Sequence, residues 1–140
     1  MGVFRMMSIS VKGKYGLAAT FQLALNYKAA PMQIRSIAHA QSIPQNYLEQ
    51  LLVELKRAGI VKSFRGSQGG YVLAKSPEEI RVCDILSCLE GPLALAGDES
   101  RSLNFFWTKI EKDLSASFGI TLSDLVEERG QIQKTLTYQI

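Results

Sequence analysis

The chain has 140 residues, 46% hydrophobic and 21% charged, which suits one compact domain with enough apolar mass for a core. That length argues against a large metabolic enzyme, which needs a cofactor domain beside a substrate domain. The formal charge is only +3, but residues 1–75 carry +8 and residues 76–140 carry −5, so one part is suited to a polyanion and the other to protein or solvent.

The opening MGVFRMMSIS has no long apolar run and no cleavage site, so no secretory signal is expected. Met6 stands where a myristoylation motif at Gly2 requires Ser or Thr, and Met6 and Met7 are alternative starts. The longest uncharged stretch, Tyr15 to Tyr27, has 13 residues and includes Thr20, Gln22 and Asn26, too short and polar to span a bilayer. A cytoplasmic protein without membrane contact is expected.

From Lys12 to about Lys28, Leu17, Phe21 and Leu25 recur at steps of four, and Ala18, Ala19, Leu23 and Ala24 widen the apolar surface. This predicts a helix buried on more than one side, ended by Ala29-Ala30-Pro31. A short helix follows over about Gln33–Gln41, with Ile34, Ile37 and Ala38 on one face. After the break at Ser42-Ile43-Pro44, Leu48, Leu51, Leu52 and Leu55 predict a third helix over Gln45–Ala58. Gln45, Asn46, Glu49 and Gln50 point away from that stripe, and Gly59 with Ile60 forms the expected C-terminal cap. Two strands, Ile60–Phe64 and Gly70–Ala74, flank the turn Arg65-Gly66-Ser67-Gln68-Gly69 and read as a hairpin.

Ser76-Pro77-Glu78-Glu79 resembles a capping box ahead of a helix over Val82–Glu90, which Gly91-Pro92 stops. A loop to Arg101 precedes a long helix, Ser102–Phe118, with Leu103, Phe106, Trp107, Ile110, Leu114 and Phe118 on one broad face. So apolar a face on so small a chain predicts an interface. Thr121 to Asp124 starts a short last helix to about Arg129, and the final ten residues are polar and expected to be loose.

The order helix, short helix, helix with a polar N-terminal face, then hairpin predicts a winged helix-turn-helix, mainly α with a small β-hairpin. The third helix would present Gln45, Asn46, Glu49 and Gln50 to a DNA major groove, and the hairpin tip would carry Arg65 to a minor groove or phosphate. The plainer reading takes the stripe as core, the turn as a hairpin and the charges as solvation; the joint spacing argues against it. An enzyme reading would make Gly66–Gly70 a phosphate cradle, but no Lys-Ser/Thr follows and a strand comes next.

Tyr47-Leu48-Glu49-Gln50-Leu51-Leu52 and Arg65-Gly66-Ser67-Gln68-Gly69-Gly70-Tyr71 are more specific. With the Gly13-Lys14-Tyr15-Gly16 opening and Ile120-Thr121-Leu122, they resemble the Rrf-type bacterial transcriptional regulators over about Ser10 to Glu128. That family includes iron–sulfur, nitric-oxide-responsive and cysteine-metabolism regulators. The resemblance implies a homodimer on a palindromic operator, a repressor by expectation, with helix 102–118 as the dimerisation element. It implies major-groove reading by Gln45, Asn46, Tyr47, Glu49 and Gln50. Phosphate or wing contacts would come from Lys14, Tyr15, Arg65, Gly66, Ser67, Gln68 and Gly69. The corresponding organisation is 1–80 for DNA binding, 81–101 connecting, 102–130 for dimerisation and the terminal helix, and 131–140 as a tail.

Cluster-binding members carry three closely spaced cysteines in the loop before the long helix and, in one well-known case, a histidine after them. Here residues 92–101 hold no cysteine and Asn104 stands at the histidine position. Cys83 and Cys88, five residues apart, project about 140° from each other on a helix, so they neither bridge nor make a thiolate set. No metal or cofactor is expected. Cys83, near a helix N-terminus, is the candidate redox thiol. The alternatives are an interaction module that has lost DNA binding and an iron–sulfur or redox sensor with atypical ligands.

Overall fold

The computed structural model describes residues 8–139, so the readings at Gly2, Met6 and Met7 lie outside the described residues. Its elements are α1 (Val11–Leu25), α2 (Ile34–Gln41), α3 (Gln45–Arg57), β1 (Val61–Phe64), β2 (Gly70–Leu73) and α4 (Val82–Glu90). A 3₁₀ turn (Asp98–Leu103) then leads into α5 (Asn104–Ser117) and α6 (Leu122–Tyr138). The fold is mainly helical, a winged helix-turn-helix followed by C-terminal helices.

α1 is the central post, packed against α2, α3, α4, α6 and β2. It ends at Leu25 rather than near Lys28 because Lys28 takes a left-handed φ of 69° and the Asn26 side-chain amide donates to the Ala30 carbonyl at 2.9 Å. Its one buried polar side chain, Thr20, is satisfied by donating to the carbonyls of Gly16 and Leu17, both at 3.0 Å. Gly16 faces α4 so closely that a Cβ there would overlap Leu89, and one at Gly13 would lie 2.6 Å from Glu90 Oε1. Both glycines weaken the helix intrinsically, and what they allow is contact between α1 and α4 without a gap.

The α3 stripe is fully realised: Leu48, Leu51, Leu52 and Leu55 are buried with Ile37, Leu23, Ile85 and Leu122 in one core. Burying each such side chain contributes about 1.5–3 kcal/mol. The predicted cap at the end of α3 is present. The Ile60 amide donates to Leu55 O (2.9 Å) and the Gly59 amide to Lys56 O (3.0 Å), with Gly59 at φ 78°.

The strands pair antiparallel, Val61 opposite Leu73 and Phe64 opposite Gly70. Met32, in the link between α1 and α2, joins β2 through a bridge to Tyr71, with amide-to-carbonyl bonds of 3.0 and 2.7 Å.

Three expectations at the C-terminal side are corrected. Ser76–Glu79 forms an isolated turn; the acidic cap of α4 is Asp84, which accepts the Arg81 amide at 2.9 Å. The long helix begins at Asn104 because Asp98–Leu103 winds as a 3₁₀ turn. The supposed loose tail is helical through Tyr138: Leu125, Ile132 and Leu136 repeat at helical spacing within a polar segment, and the Thr135 and Thr137 hydroxyls bond back to carbonyls one turn earlier. Because Ile80, Ile85, Leu89 and Leu122 share the core of α1–α3, the chain-order division at residue 80 passes through one packed body.

The start of α6 is a reciprocal cap: Thr121 Oγ1 accepts the Asp124 amide at 3.0 Å and the Asp124 carboxylate accepts the Thr121 amide at 3.0 Å. That amide, with the Thr121 hydroxyl, holds the Asp124 carboxyl below its ordinary value. A carboxylate lowered by folding stabilises above its unfolded value, and the contribution disappears as pH falls through the folded value. The difference in Tm between the native chain and Asp124→Asn should therefore shrink on acidification. A pH-independent difference in thermal melts would show that the charge does not contribute.

Candidate nucleic-acid interface

One face of the molecule collects α2, the N-terminal half of α3 and the hairpin. Gln45, Asn46, Glu49 and Gln50 are exposed on α3, as their offset from the leucine stripe requires. Tyr47 is half-buried and meets Tyr15 edge-on, with ring centroids 5.7 Å apart, so this pair packs α1 against α3. Lys14, next to Tyr15, is exposed.

At the hairpin tip the Gly69 amide donates to Gly66 O at 3.0 Å, and Arg65, Ser67 and Gln68 are exposed. Gly66 has φ 99° with open space around it, whereas Gly69 is buried where a Cβ would overlap the Phe64 carbonyl. The tip is thus free while its base is held.

Arg35 was not singled out from the sequence. It is exposed on the first turn of α2 and lines, with Gln33, Gln45, Gly66 and Gly69, a cleft of about 390 Å³ between α2, α3 and the wing. Its available signal was a basic residue at the start of the first helix of a helix-turn-helix, the helix that crosses the DNA backbone.

The helix N-termini divide by location. α4 and α6 begin with acidic caps, Asp84 and Asp124, and Glu90 accepts the Ser10 amide and hydroxyl at the start of α1. α2, α3 and α5 have neither an acidic residue in the first turn nor a side-chain cap bond, but α5 continues directly from the 3₁₀ turn, whose own start carries Asp98 and Glu99. Uncapped amides at the positive end of a helix are phosphate ligands.

Among the described residues the one ion pair is Lys12–Glu54, at 3.0 Å, which joins α1 to α3 and leaves Arg65, Lys14 and Arg35 outside any ion pair. Glu49 is then the exposed carboxylate of α3.

The two thiols differ. Cys88 is half-buried, its Sγ donating to the Glu54 carbonyl at 3.7 Å, and burial with nearby Glu54 pushes its pKa up. Cys83 is half-buried at the second position of α4. The amides of Val82 and Cys83 donate to Ile120 O and Phe118 O at 2.9 and 2.8 Å, so neither is free at the start of α4.

On α5 no residue is buried. Phe106 remains 43% and Leu103 47% exposed, with Trp107, Ile110, Leu114 and Phe118 half-buried. Phe105, outside the predicted set, is 74% exposed.

A family profile described as "Rrf2: Iron-dependent Transcriptional regulator" matches residues 9–128. The chain belongs to the Rrf2 family of transcriptional regulators. The HTH-type transcriptional regulator CymR of Bacillus subtilis (strain 168) is 36% identical over 138 residues, covering 96% of this chain and all of that one. In three dimensions the chain is similar to the structure of CymR, described as the global cysteine regulator of B. subtilis, with TM-score 0.79 and 38% identity over 88% of this chain and 98% of that one. It is equally similar to the structure of T. potens IscR, with TM-score 0.79 and 40% identity over 91% of both chains. Rrf2 proteins are DNA-binding regulators, not enzymes, and no helix among the described residues is long and apolar enough to cross a membrane.

Iron, named in the family's description, needs a convergent set of donor side chains. Among the described residues no three His, Cys, Asp or Glu side chains converge as a metal site. Asn104, at the position expected for a histidine ligand, accepts the Gly97 amide at 3.4 Å, and the loop before it offers no thiolate. Iron–sulfur clusters are held by thiolates, so this donor set does not fit one.

Proposed function

We propose that this Rrf2 protein is a sequence-specific repressor that binds a palindromic operator as a homodimer, without an iron–sulfur cluster. The observation that carries the reading is one face on which the uncapped N-termini of α2 and α3 lie beside the wing and the exposed Arg35 and Arg65, both outside any ion pair. In this reading Gln45, Asn46, Glu49 and Gln50 address base edges, since amides pair with adenine and a carboxylate accepts from cytosine N4. Tyr47 and Tyr15 set the angle of α3. Lys14 and Arg35 hold phosphate, and Arg65 enters the minor groove beside Gly66, Ser67, Gln68 and Gly69. The α5 face of Leu103, Phe106, Trp107, Ile110, Leu114 and Phe118 supplies the two-fold contact that a palindrome requires. Where a thiol contributes to sensing, Cys83 is its position, because burial and nearby Glu54 push the Cys88 pKa up.

The test separates base from phosphate contacts. Gln50→Ala should cost about 1–3 kcal/mol on the operator and relax preference at one position, while Lys14→Ala should weaken operator and random DNA together. Affinity should fall with salt at a log–log slope of about −0.9 per phosphate neutralised. Fluorescence anisotropy across a salt series measures both. A flat salt dependence would remove DNA binding as the function, and equal losses on both DNAs for Gln50→Ala would remove that residue from base reading.

A further inference from the structure

The C-terminal half of α3 is held by two polar side chains that leave it on opposite sides. Residues i and i+2 of a helix project about 200° from each other, and Glu54 and Lys56 are so placed. Apolar burial is non-directional, so the leucine stripe fixes the depth of α3 more firmly than its rotation. Hydrogen bonds away from the stripe are directional and set that rotation.

On one side stands Lys12, in the first turn of α1. Its ammonium lies 3.0 Å from both Glu54 carboxylate oxygens and donates to Oε1. Glu54 Oε2 is buried and accepts no hydrogen bond among the described residues, so the Lys12 charge is what compensates it. α4 holds the same turn of α3 through Cys88 Sγ, which donates to the Glu54 carbonyl. On the other side Lys56 Nζ donates to Ser63 Oγ of β1 at 2.6 Å. Ser63 pairs with Tyr71, whose bridge to Met32 fixes the hairpin to the link between α1 and α2.

The two ties end on the elements that carry the phosphate contacts of the proposed function. Lys14 is two residues beyond Lys12, and Arg65 two beyond Ser63. We propose that Glu54 and Lys56 are positioning residues for base discrimination, setting the rotation of α3 relative to α1 and the wing. They thereby bring Gln45, Asn46, Glu49 and Gln50 to base edges in register with both phosphate grips. The inference rests on the DNA-binding reading. Without a tie α3 samples several rotations, and operator affinity falls by the fraction that stays competent. Random DNA engages the phosphate grips alone and is indifferent to that fraction.

The experiment measures operator and random DNA by fluorescence anisotropy at one salt concentration. Lys12→Met with Glu54→Met removes the α1 tie, keeps the native net charge and leaves no buried carboxylate without a partner. The operator-to-random affinity ratio should fall about threefold, the scale set by the modest strength of a half-buried pair, with random DNA binding held. Lys12→Glu with Glu54→Lys, which reverses the pair, should restore most of the ratio. Ser63→Ala changes no charge and should lower the ratio about twofold by itself, which keeps the test open should the Glu54 variants fold poorly. An unchanged ratio in the folded variants, or equal losses on both DNAs, would overturn the positioning role, whatever happens to Tm. A reversed pair as poor as the double methionine variant would overturn the ion pair as its basis. A native protein without preference for the operator would overturn the DNA-binding reading, and this proposal with it.

Discussion

Ile110→Asp is expected to yield a monomer that no longer retains a two-half-site operator. Ile110 sits mid-way along α5, which buries none of its residues within the protomer although Leu103, Phe105, Phe106, Trp107 and Leu114 surround the same region. A two-fold contact through this helix brings each substitution to the interface twice, placing two carboxylates in an apolar seam. A loss above about 4 kcal/mol, on the order of a thousandfold in dimer affinity, follows from central interface positions of this kind. Folding of the body should survive, because the core is built from α1–α4 and Leu122. Light scattering and operator titration check the two halves of the expectation. An unchanged dimer would mean that another surface makes the assembly.

Gly70→Ala is expected to cost about 3 kcal/mol or more and to weaken binding to all DNA sequences. Gly70 has φ 142°, and a Cβ there would overlap the Met32 carbonyl, with the carbonyl carbon at 2.5 Å. The obstacle is backbone, so relief requires opening the Met32–Tyr71 bridge and both of its hydrogen bonds. The wing would then swing away from α2, taking Arg65 with it. Gly66→Ala is the internal comparison: φ is also positive, at 99°, but the space is open, and about 1 kcal/mol is expected. Thermal melts of the two variants rank these costs. Equal, small effects would show that the linker does not hold the wing.

The elements legible in the sequence were those whose signal is local. The leucine stripe of α3, its Gly59 cap, the glycine-rich turn and the bounds Val82 and Glu90 each follow from spacing within a few residues. The exposed polar residues of α3 were legible for the same reason, being what the stripe leaves over. Contacts across the chain were not legible. Gly13 and Gly16 looked like part of a motif, and only the path of α4 shows that they make room for Glu90 and Leu89. Arg35 was one basic residue among many until the fold placed it beside the wing. Residues 131–138 were read as loose because they are polar, although Ile132 and Leu136 maintain the helical period.

The uncapped amides of α2 and α3 also bear on how affinity divides between two kinds of phosphate ligand. A lysine or arginine that neutralises a phosphate displaces a condensed cation from DNA, and the entropy of that release is what added salt removes. A backbone amide brings no full charge and displaces little. Tightness supplied by α2 and α3 should therefore persist where tightness supplied by Lys14, Arg35 and Arg65 has been titrated away. Extrapolated to high ionic strength, the affinity remaining on operator DNA measures the amides together with the base contacts, and that remaining on random DNA measures the amides alone.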